Sequence, residues 1–466
     1  MTTDTPRQDQ PGPPSSGPSS TGSGERSAPE PTAPSKHAGS NTGSGSVPGR
    51  RAGLRRLRRF TMDTTPLRIA PFRRLWSSTV VTGIGSQLTA VAVPLQIYDD
   101  TGSSALVGLA GAAALVPLVV FALWGGAVAD LMDRRRLLLF TNAGIAATSL
   151  LFWAQAATGT RSVAVLLVLL AVQQALFGIN QPTRTASVAR LVPAGQLPSA
   201  TALTSTVWQF GQIVGPLLAG ALVPVLGLPV LYLCDSLALL VALWAVWRLP
   251  ALPPLKGATR RAGLADIAAG FRYLVRMRLL LVSFLADVIA MVLGMPRALF
   301  PQMAQLDFGG PEGGGSSLGV LYAAIPVGAV LCGVLSGLYS RVSRHGVMVV
   351  LAICVWGLSV AGFGLSGPLW PAAVFLALAG AADMVSMVFR GAILQSAATD
   401  EMRGRMQGVF TVVVAGGPRL ADLLHGTVGA AAGARPTVVG GGLLVVAAMV
   451  ALAGAFPAFW RYSARR

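Results

Sequence analysis

Seven ionisable side chains fall inside long apolar runs of this sequence: Asp235, Asp287, Arg297, Asp383, Arg419, Asp422 and His425. A charge at the centre of a membrane helix costs about 2.5 to 3.5 kcal/mol on insertion scales, so each such residue marks a function unless a neighbour neutralises it. For Asp287, Arg297 and Asp383 the plain alternative to a function is an interhelical ion pair such as Asp383 to Arg297. Arg419, Asp422 and His425 follow at three-residue steps, so neighbours meet along a helix. Asp422 could accept a proton as pH falls and His425 could titrate near neutrality, while a self-satisfied Arg419 to Asp422 pair is the simpler reading. Gln87, Gln96, Gln173, Gln174 and Asn180 add polar groups that can bind but not titrate. Arg390, at the loop after the tenth run, joins the candidates, and Asp235 in "YLCDSLALL" reads as structural.

The elements that must position these groups are membrane helices. Of 466 residues, 53% are hydrophobic and 12% charged, and the mean hydropathy is +0.62, far from the roughly 25% charged content of an ordinary soluble domain. Runs of about 20 apolar residues recur, each able to cross ~30 Å of hydrocarbon as a helix. The net charge of +18 does not indicate nucleic acid, because the arginines cap apolar segments instead of lining one polar face. Cys234, Cys332 and Cys354 lie inside the runs and behave as small hydrophobes. With His37, His345 and His425 as the only histidines, no metal centre is expected. No phosphate-loop pattern points to ATP, and no cofactor is implied.

Hydropathy and helix breakers place spans near 75–97, 104–130, 137–157, 163–182, 203–225 and 228–248, then 279–300, 318–340, 347–366, 369–389, 407–430 and 437–459. The expected organisation is a disordered basic tail over 1–70, rich in Ser, Pro and Gly at its start, a six-helix bundle over 71–249, a linker over 250–278, a second bundle over 279–460 and a short tail over 461–466. The basic run "RRAGLRRLRRF" leads into a full-length span, which favours a retained first helix over a cleaved signal peptide. Within the linker Leu264, Ile267, Ala268, Phe271, Leu274 and Val275 share one helical face, as on a helix lying at the membrane surface or packed on the ends of the spans. Loops after even-numbered spans hold Arg134, Arg135, Arg136, Arg184, Arg190, Arg341, Arg344, Arg390, Arg403 and Arg405; loops after odd-numbered spans hold only Arg161 and Arg435. By the positive-inside rule, both termini and the linker are cytoplasmic.

The halves repeat each other: "PTRTASVARLVPAGQLPSATAL" leads to "GPLLAG", and "VFRGAILQSAATDEMRGRMQGV" leads to "GPRLAD". Both copies join the fourth span of a half to the fifth in the same orientation, as in parallel repeats about the membrane normal. With "FRRLWSSTVVTGIGSQLTAVAVPLQIYDDTGSSALVG", "GGAVADLMDRRRLLL", "GQIVGPLLAGAL" and "YLCDSLALL", the sequence over about 70–460 resembles the major facilitator superfamily, and within it the transmembrane secretion effector branch of enterobactin-exporter type.

The resemblance implies an all-α fold of twelve transmembrane helices in two six-helix bundles related by a pseudo-twofold. It also assigns residues. Gly126, Asp130, Arg134 and Arg135 match the motif between helices two and three, implied to latch the halves in the outward-facing state; a carboxylate beside mobile arginines can be ion-paired in one conformation and solvated in the other. Here Leu131 replaces the usual basic residue and Asp133 the usual glycine, and the counterpart "GVLSGLYSRVSRHG" has lost its acid. Gly211, Gly215, Pro216 and Gly220 resemble the helix-five motif of antiporters, where small residues four apart permit close packing. Helix four usually carries an arginine, whereas "VLLVLLAVQQALFGI" has none. Helices one, four, seven and ten line the cavity in this superfamily, so the resemblance makes Asp287, Arg297 and Asp383 the candidates to hold a charged substrate or a proton.

The expected function is secondary active export of a small organic molecule, a siderophore, antibiotic or other drug-like compound, by alternating access. Protons are the expected driving ion, and the protein is expected to be a monomer in the bacterial plasma membrane. A broad multidrug pump is the near alternative. A polytopic membrane enzyme such as a lipid-linked transferase is the distant one, with "YDDTGSS" as its only adjacent acidic pair.

Overall fold

The computed structural model describes residues 63–254, 264–310, 315–339, 342–397 and 400–463, with the side chains of 123, 126, 127, 129, 130, 264–268, 270, 400, 401, 403–408, 410–412 and 415 left aside. Residues 1–62 of the expected disordered tail, Arg341, and the side chains of Arg403, Arg405 and Asp130 thus lie outside the described residues, while the tail's last residues are ordered, with a 3-10 turn at Thr65–Arg68 and the first long helix beginning at Ala70. Apolar sequence becomes helix here because a backbone in hydrocarbon must satisfy its own hydrogen bonds. The elements are α1 (Ala70–Thr101), α2 (Ser104–Leu131), α3 (Arg134–Ala157), α4 (Val163–Leu191), α5 (197–226), α6 (228–247) and α7 (Leu264–Arg276). They continue with α8 (Arg278–Gly294), α9 (Phe300–Leu306), α10 (Gly315–Val334), α11 (His345–Leu365), α12 (Leu369–Ala397), α13 (Asp400–Ala432), α14 (Ala434–Ala455) and α15 (Pro457–Trp460). No strand occurs among the described residues.

Caps and breakers set the ends. Ser103 accepts the Leu106 amide to start α2, and Ser162 accepts the Val165 amide to start α4. Between α5 and α6, Gly227 takes φ +74°, a left-handed conformation that costs glycine little. Met295 and Pro296 interrupt the seventh span, leaving α8 and α9. Ten segments among the described residues are long and apolar enough to span a membrane; one of them, 194–247, holds both α5 and α6. The helix α13 has spanning length but carries Arg419 and Asp422.

Packing repeats. α1 lies along α5 and α6, α2 along α4, and α3 against α4 and α6. In the second half α8 lies along α13 and α14, α10 along α12, and α11 against α12 and α14. The repeat read from two sequence fragments therefore extends to the whole packing scheme. The linker helix α7 packs on α8 and α13 with Leu274 buried and Phe271 and Val275 exposed, so the part of its apolar face that is described divides between protein and surroundings.

Two expectations about arginines change. Arg184 and Arg190 do not sit in a loop, because α4 runs on to Leu191; Arg390 likewise lies inside α12. Arg184 and Arg390 are both buried, so helix four does carry an interior arginine, five residues beyond the stretch that lacks one. Hydropathy ends a span at the first strong charge, whereas a helix continues when neighbours satisfy that charge.

Candidate functional site

The halves meet through two helix pairs, α2 with α13 and α5 with α10, which the repeat interchanges. Both meetings are glycine crossings. A Cβ on Gly108 would stand 2.5 Å from the Asp422 carbonyl and 3.0 Å from Cα of Gly426; one on Gly220 would stand 2.8 Å from Cα of Gly319. Ser104 donates to the Gly426 carbonyl at 3.3 Å beside the first crossing. Nearby, the Gln305 amide donates to Asp99 at 2.6 Å, joining the ends of α9 and α1. All these contacts lie toward the arginine-poor end. The two arginines placed there are each neutralised locally, Arg161 3.6 Å from Asp100 and Arg435 2.6 Å from Asp307.

At the other end four arginines of the first half bind within that half. Arg74 donates to the Arg248 carbonyl at 2.9 Å, Arg134 to Ala186 at 3.1 Å, Arg135 to Trp247 and Arg190 to Pro253. Trp247 and Arg248 end α6, and helix-end carbonyls carry partial negative charge that suits cationic partners. Asp133 is the N-cap of α3: it accepts the amides of Arg135 (2.8 Å) and Arg136 (3.2 Å), and its other oxygen accepts the Leu252 amide at 3.1 Å. An acid in place of the usual glycine therefore ties the start of α3 to the linker.

The antiporter-like motif divides its work. Gly211 packs on Gly83 and Gly215 on Gln87, within the first half, while Gly220 makes the crossing to α10. Pro216 lies buried between them, its carbonyl 2.7 Å from a Cβ built on Gly319.

Charged groups gather in the second half. Arg390 bonds Asp287 directly, donates from Nε to Ser386 at 3.0 Å and lies 3.7 Å from Asp383. Asp287 and Arg390 are buried, whereas the Asp383 side chain is 32% exposed. The expected Asp383 to Arg297 bridge is thus replaced by Asp383 to Arg390, seven residues along the same helix. Arg297 stands in a looser group, within electrostatic reach of Asp422, Tyr322, Arg419 and Asp383. Among the described residues Arg419 and Asp422 form no ion pair, and Asp422 Oδ1 has no hydrogen-bond partner, so the self-satisfied pair is not the arrangement seen. His425 turns its Nδ1 to the Ala421 carbonyl at 3.0 Å and is buried among helices.

The first half contributes few charges. Asp235 Oδ2 accepts Thr89 at 2.7 Å and Ser149 at 2.8 Å, and Oδ1 has no partner. Gln173 donates to Ser149 at 3.1 Å, extending that network. Arg184 donates to Thr79 at 2.6 Å. Gln96 and Gln155 exchange hydrogen bonds of 2.9 and 3.2 Å and receive Tyr232 at 2.9 Å, a closed set that leaves Gln96 occupied. Asn180 donates to Thr141 and Asn142. Gln87 and Gln174 are half-buried.

Sequence reasoning missed Gly108, Gly319 and Gly426, although "SALVGLAG" carries the small-residue spacing that signals a crossing. It also missed Tyr322, which no local pattern marks.

Comparison with known proteins agrees with this architecture. Residues 61–460 match the model of the family described as transmembrane secretion effector. The chain is 28% identical over 390 residues to the enterobactin exporter EntS of Shigella boydii serotype 4, covering 82% of this chain and 91% of that protein. Among solved structures, the nucleoside transporter NupG aligns with a TM-score of 0.68 at 14% identity, over 84% of this chain and all of that one. A bacterial homologue of the human lysosomal transporter Spinster, inward-facing and unoccupied, aligns at 0.67 and 16% identity, over 86% of this chain and all of that one.

Proposed function

This chain belongs to the transmembrane secretion effector family, whose members are transporters of the major facilitator fold and not enzymes, and we propose that it exports a small organic molecule by alternating access with protons as the driving ion. It is a multi-pass inner-membrane protein. In our reading it works as a monomer of twelve crossings with both termini in the cytoplasm.

The observation that carries this reading is the pair of glycine crossings between the halves at the arginine-poor end. Gly108 with Gly426 and Gly220 with Gly319 close the arginine-poor end, while Arg74, Arg134 and Arg190 at the other end are engaged inside the first half. With the arginine-rich end read as cytoplasmic, our reading is a state closed at its outer end by these crossings. The opposite state requires the crossings to part and the cytoplasmic ends to meet. Asp130, Arg134 and Arg135 at the start of that end are the proposed latch, since arginines now bonded to carbonyls can exchange those partners for carboxylates.

The Asp287, Arg390 and Asp383 set supports coupling. Two carboxylates against one guanidinium leave a negative charge in excess, which a proton or a cationic group can neutralise. Asp383, the exposed member, is where it would enter. Arg297 and Arg419 offer an anionic cargo its counter-charges. The exporter relative makes a siderophore the first cargo to test.

The test compares medium and cell extract from a deletion strain and its parent by untargeted mass spectrometry, with and without iron limitation. A compound lost outside and accumulated inside is the expected result; equal compartments under both conditions overturn a dedicated exporter. For coupling, Asp383→Asn should flatten the dependence of flux on an imposed pH gradient, and an unchanged dependence removes Asp383 from the proton path.

A further inference from the structure

At the arginine-rich end, a recess opens on the outer flank of the first half between α3 and α6. It has a volume of about 280 Å³ and is lined by Asp133, Arg135, Arg136, Leu139, Trp247 and Ala251. It adjoins an apolar groove of about 490 Å³ that shares Leu139 and Trp247 and runs along the same two helices past Phe140, Ala143 and Trp244. Phe140, Trp244 and Trp247 are exposed on this flank, which in a spanning protein faces hydrocarbon and not water.

The recess is basic. Arg136 is exposed, and Arg135 Nε is buried without a partner even though its Nη2 bonds the Trp247 carbonyl. Arg248 lays its guanidinium over the Trp244 ring at 5.0 Å and the Trp247 ring at 5.9 Å, which holds a third positive charge at the rim. The one acid, Asp133, is committed to the α3 cap and the Leu252 amide. Three arginines against one engaged carboxylate favour an anion. The tryptophans mark the depth at which headgroup gives way to chain, and the groove continues the recess toward the membrane interior.

We propose that this recess and groove form a site for one anionic phospholipid of the cytoplasmic leaflet, its phosphate on Arg135 and Arg136 and one acyl chain in the groove over Ala143. The site rests on the membrane location of the chain and is independent of what the protein exports. It has a consequence for the latch region, because the lipid would hold the start of α3 beside the end of α6.

Native mass spectrometry of the full chain in detergent tests this with phosphatidylglycerol, phosphatidylethanolamine, phosphatidylcholine and inorganic phosphate as probes. One phosphatidylglycerol should be retained at collision energies that strip the other lipids. Arg136→Gln should weaken that binding about fivefold, the expected loss for one interfacial arginine, and Arg136→Lys should retain most of it. Ala143→Trp, which fills the groove and leaves every charge in place, should also weaken it. Equal retention of phosphatidylcholine or phosphatidylethanolamine overturns the proposal, as does wild-type binding by both Arg136→Gln and Ala143→Trp. Displacement of phosphatidylglycerol by inorganic phosphate at equal concentration overturns it too, since that marks an ion site with no role for the chain.

Discussion

The two halves repeat one packing scheme and yet keep their buried charges in opposite ways. In the first half Asp235 and Arg184 are held apart, contacting α1 at Thr89 and Thr79, about 15 Å apart along the helix, and the bonds they make go to neutral hydroxyls. In the second half Arg390 stands against two carboxylates, one buried and one partly open. A charge fixed by preorganised hydroxyls in dry packing has one good arrangement. An arginine between two carboxylates has more than one, and a proton or a charged cargo can choose between them. On our proposal the second half then holds the polar machinery and the first half a frame.

The hardest way to break this comparison is to remove Arg390. Arg390→Ala leaves Asp287 and Asp383 facing each other without a cation, and losing one partner of a buried pair costs about 3–5 kcal/mol. The thermal midpoint of the purified protein should fall further than for any first-half charge substitution. A variant as stable as wild type would show that the cluster is solvated enough to need no pairing, and the contrast between the halves would vanish.

Next in size is the crossing. Gly220→Leu drives a side chain into the Gly319 backbone, and overpacking of this kind costs about 1–3 kcal/mol. If, as proposed, the crossing parts when the arginine-poor end opens, the cost should shift the conformational balance by about 5- to 150-fold and expose cysteines placed near Ser104 to outside labels. Gly108→Leu at the partner crossing should do the same. Gly391→Leu is the control, since a Cβ there meets nothing within 4 Å. Unequal effects at the two crossings would sharpen the comparison by showing which half leads the opening.

The sequence displayed the helices well because hydropathy is a local property: twelve apolar runs were readable, and the helix ends extend them by only a few residues in most cases. It misread α4 and α12, whose ends hold Arg184 and Arg390, because the groups that make these charges tolerable come from other positions and mostly other helices. Thr79 is on α1 and Asp287 on α8. Asp383 and Arg390, by contrast, lie seven residues apart on one helix, so that pairing was open to a local reading. The glycines of α5 were legible as packing residues, but which of them faces its own half and which the other depends on where α1 and α10 lie. Asp133 was visible as a departure from the family pattern, and only the fold gives its reason, the cap on α3 and the bond to Leu252.

Asp235 offers a gentler test of the frame. Asp235→Asn keeps the shape and can still accept Thr89 or Ser149 through its carbonyl, so the loss should be about 1 kcal/mol, near that of a single buried hydrogen bond. Flux should persist with its pH dependence intact. A flattened pH profile, matching that expected of Asp383→Asn, would move proton handling into the first half and reverse the assignment of roles.

The smallest expected effect belongs to Asp63, the first described residue and an exposed one. It accepts the Thr65 amide at 3.0 Å, the Thr65 hydroxyl at 2.5 Å and the Ser199 hydroxyl at 2.9 Å, tying the segment before α1 to the start of α5. The Thr65 hydroxyl foremost, then its amide and Ser199, hold the carboxyl below the usual aspartate range. A group depressed in the folded state stabilises it above the unfolded pKa of about 3.9, and that contribution is lost as pH falls through the lower folded value. Hydrogen exchange at the Thr65 amide should therefore be slower in wild type than in Asp63→Asn at neutral pH, with the difference closing in strong acid. A difference that persists there would mean the neutral side chain holds the segment equally well, and that the first half is stitched at this edge by shape and not by charge.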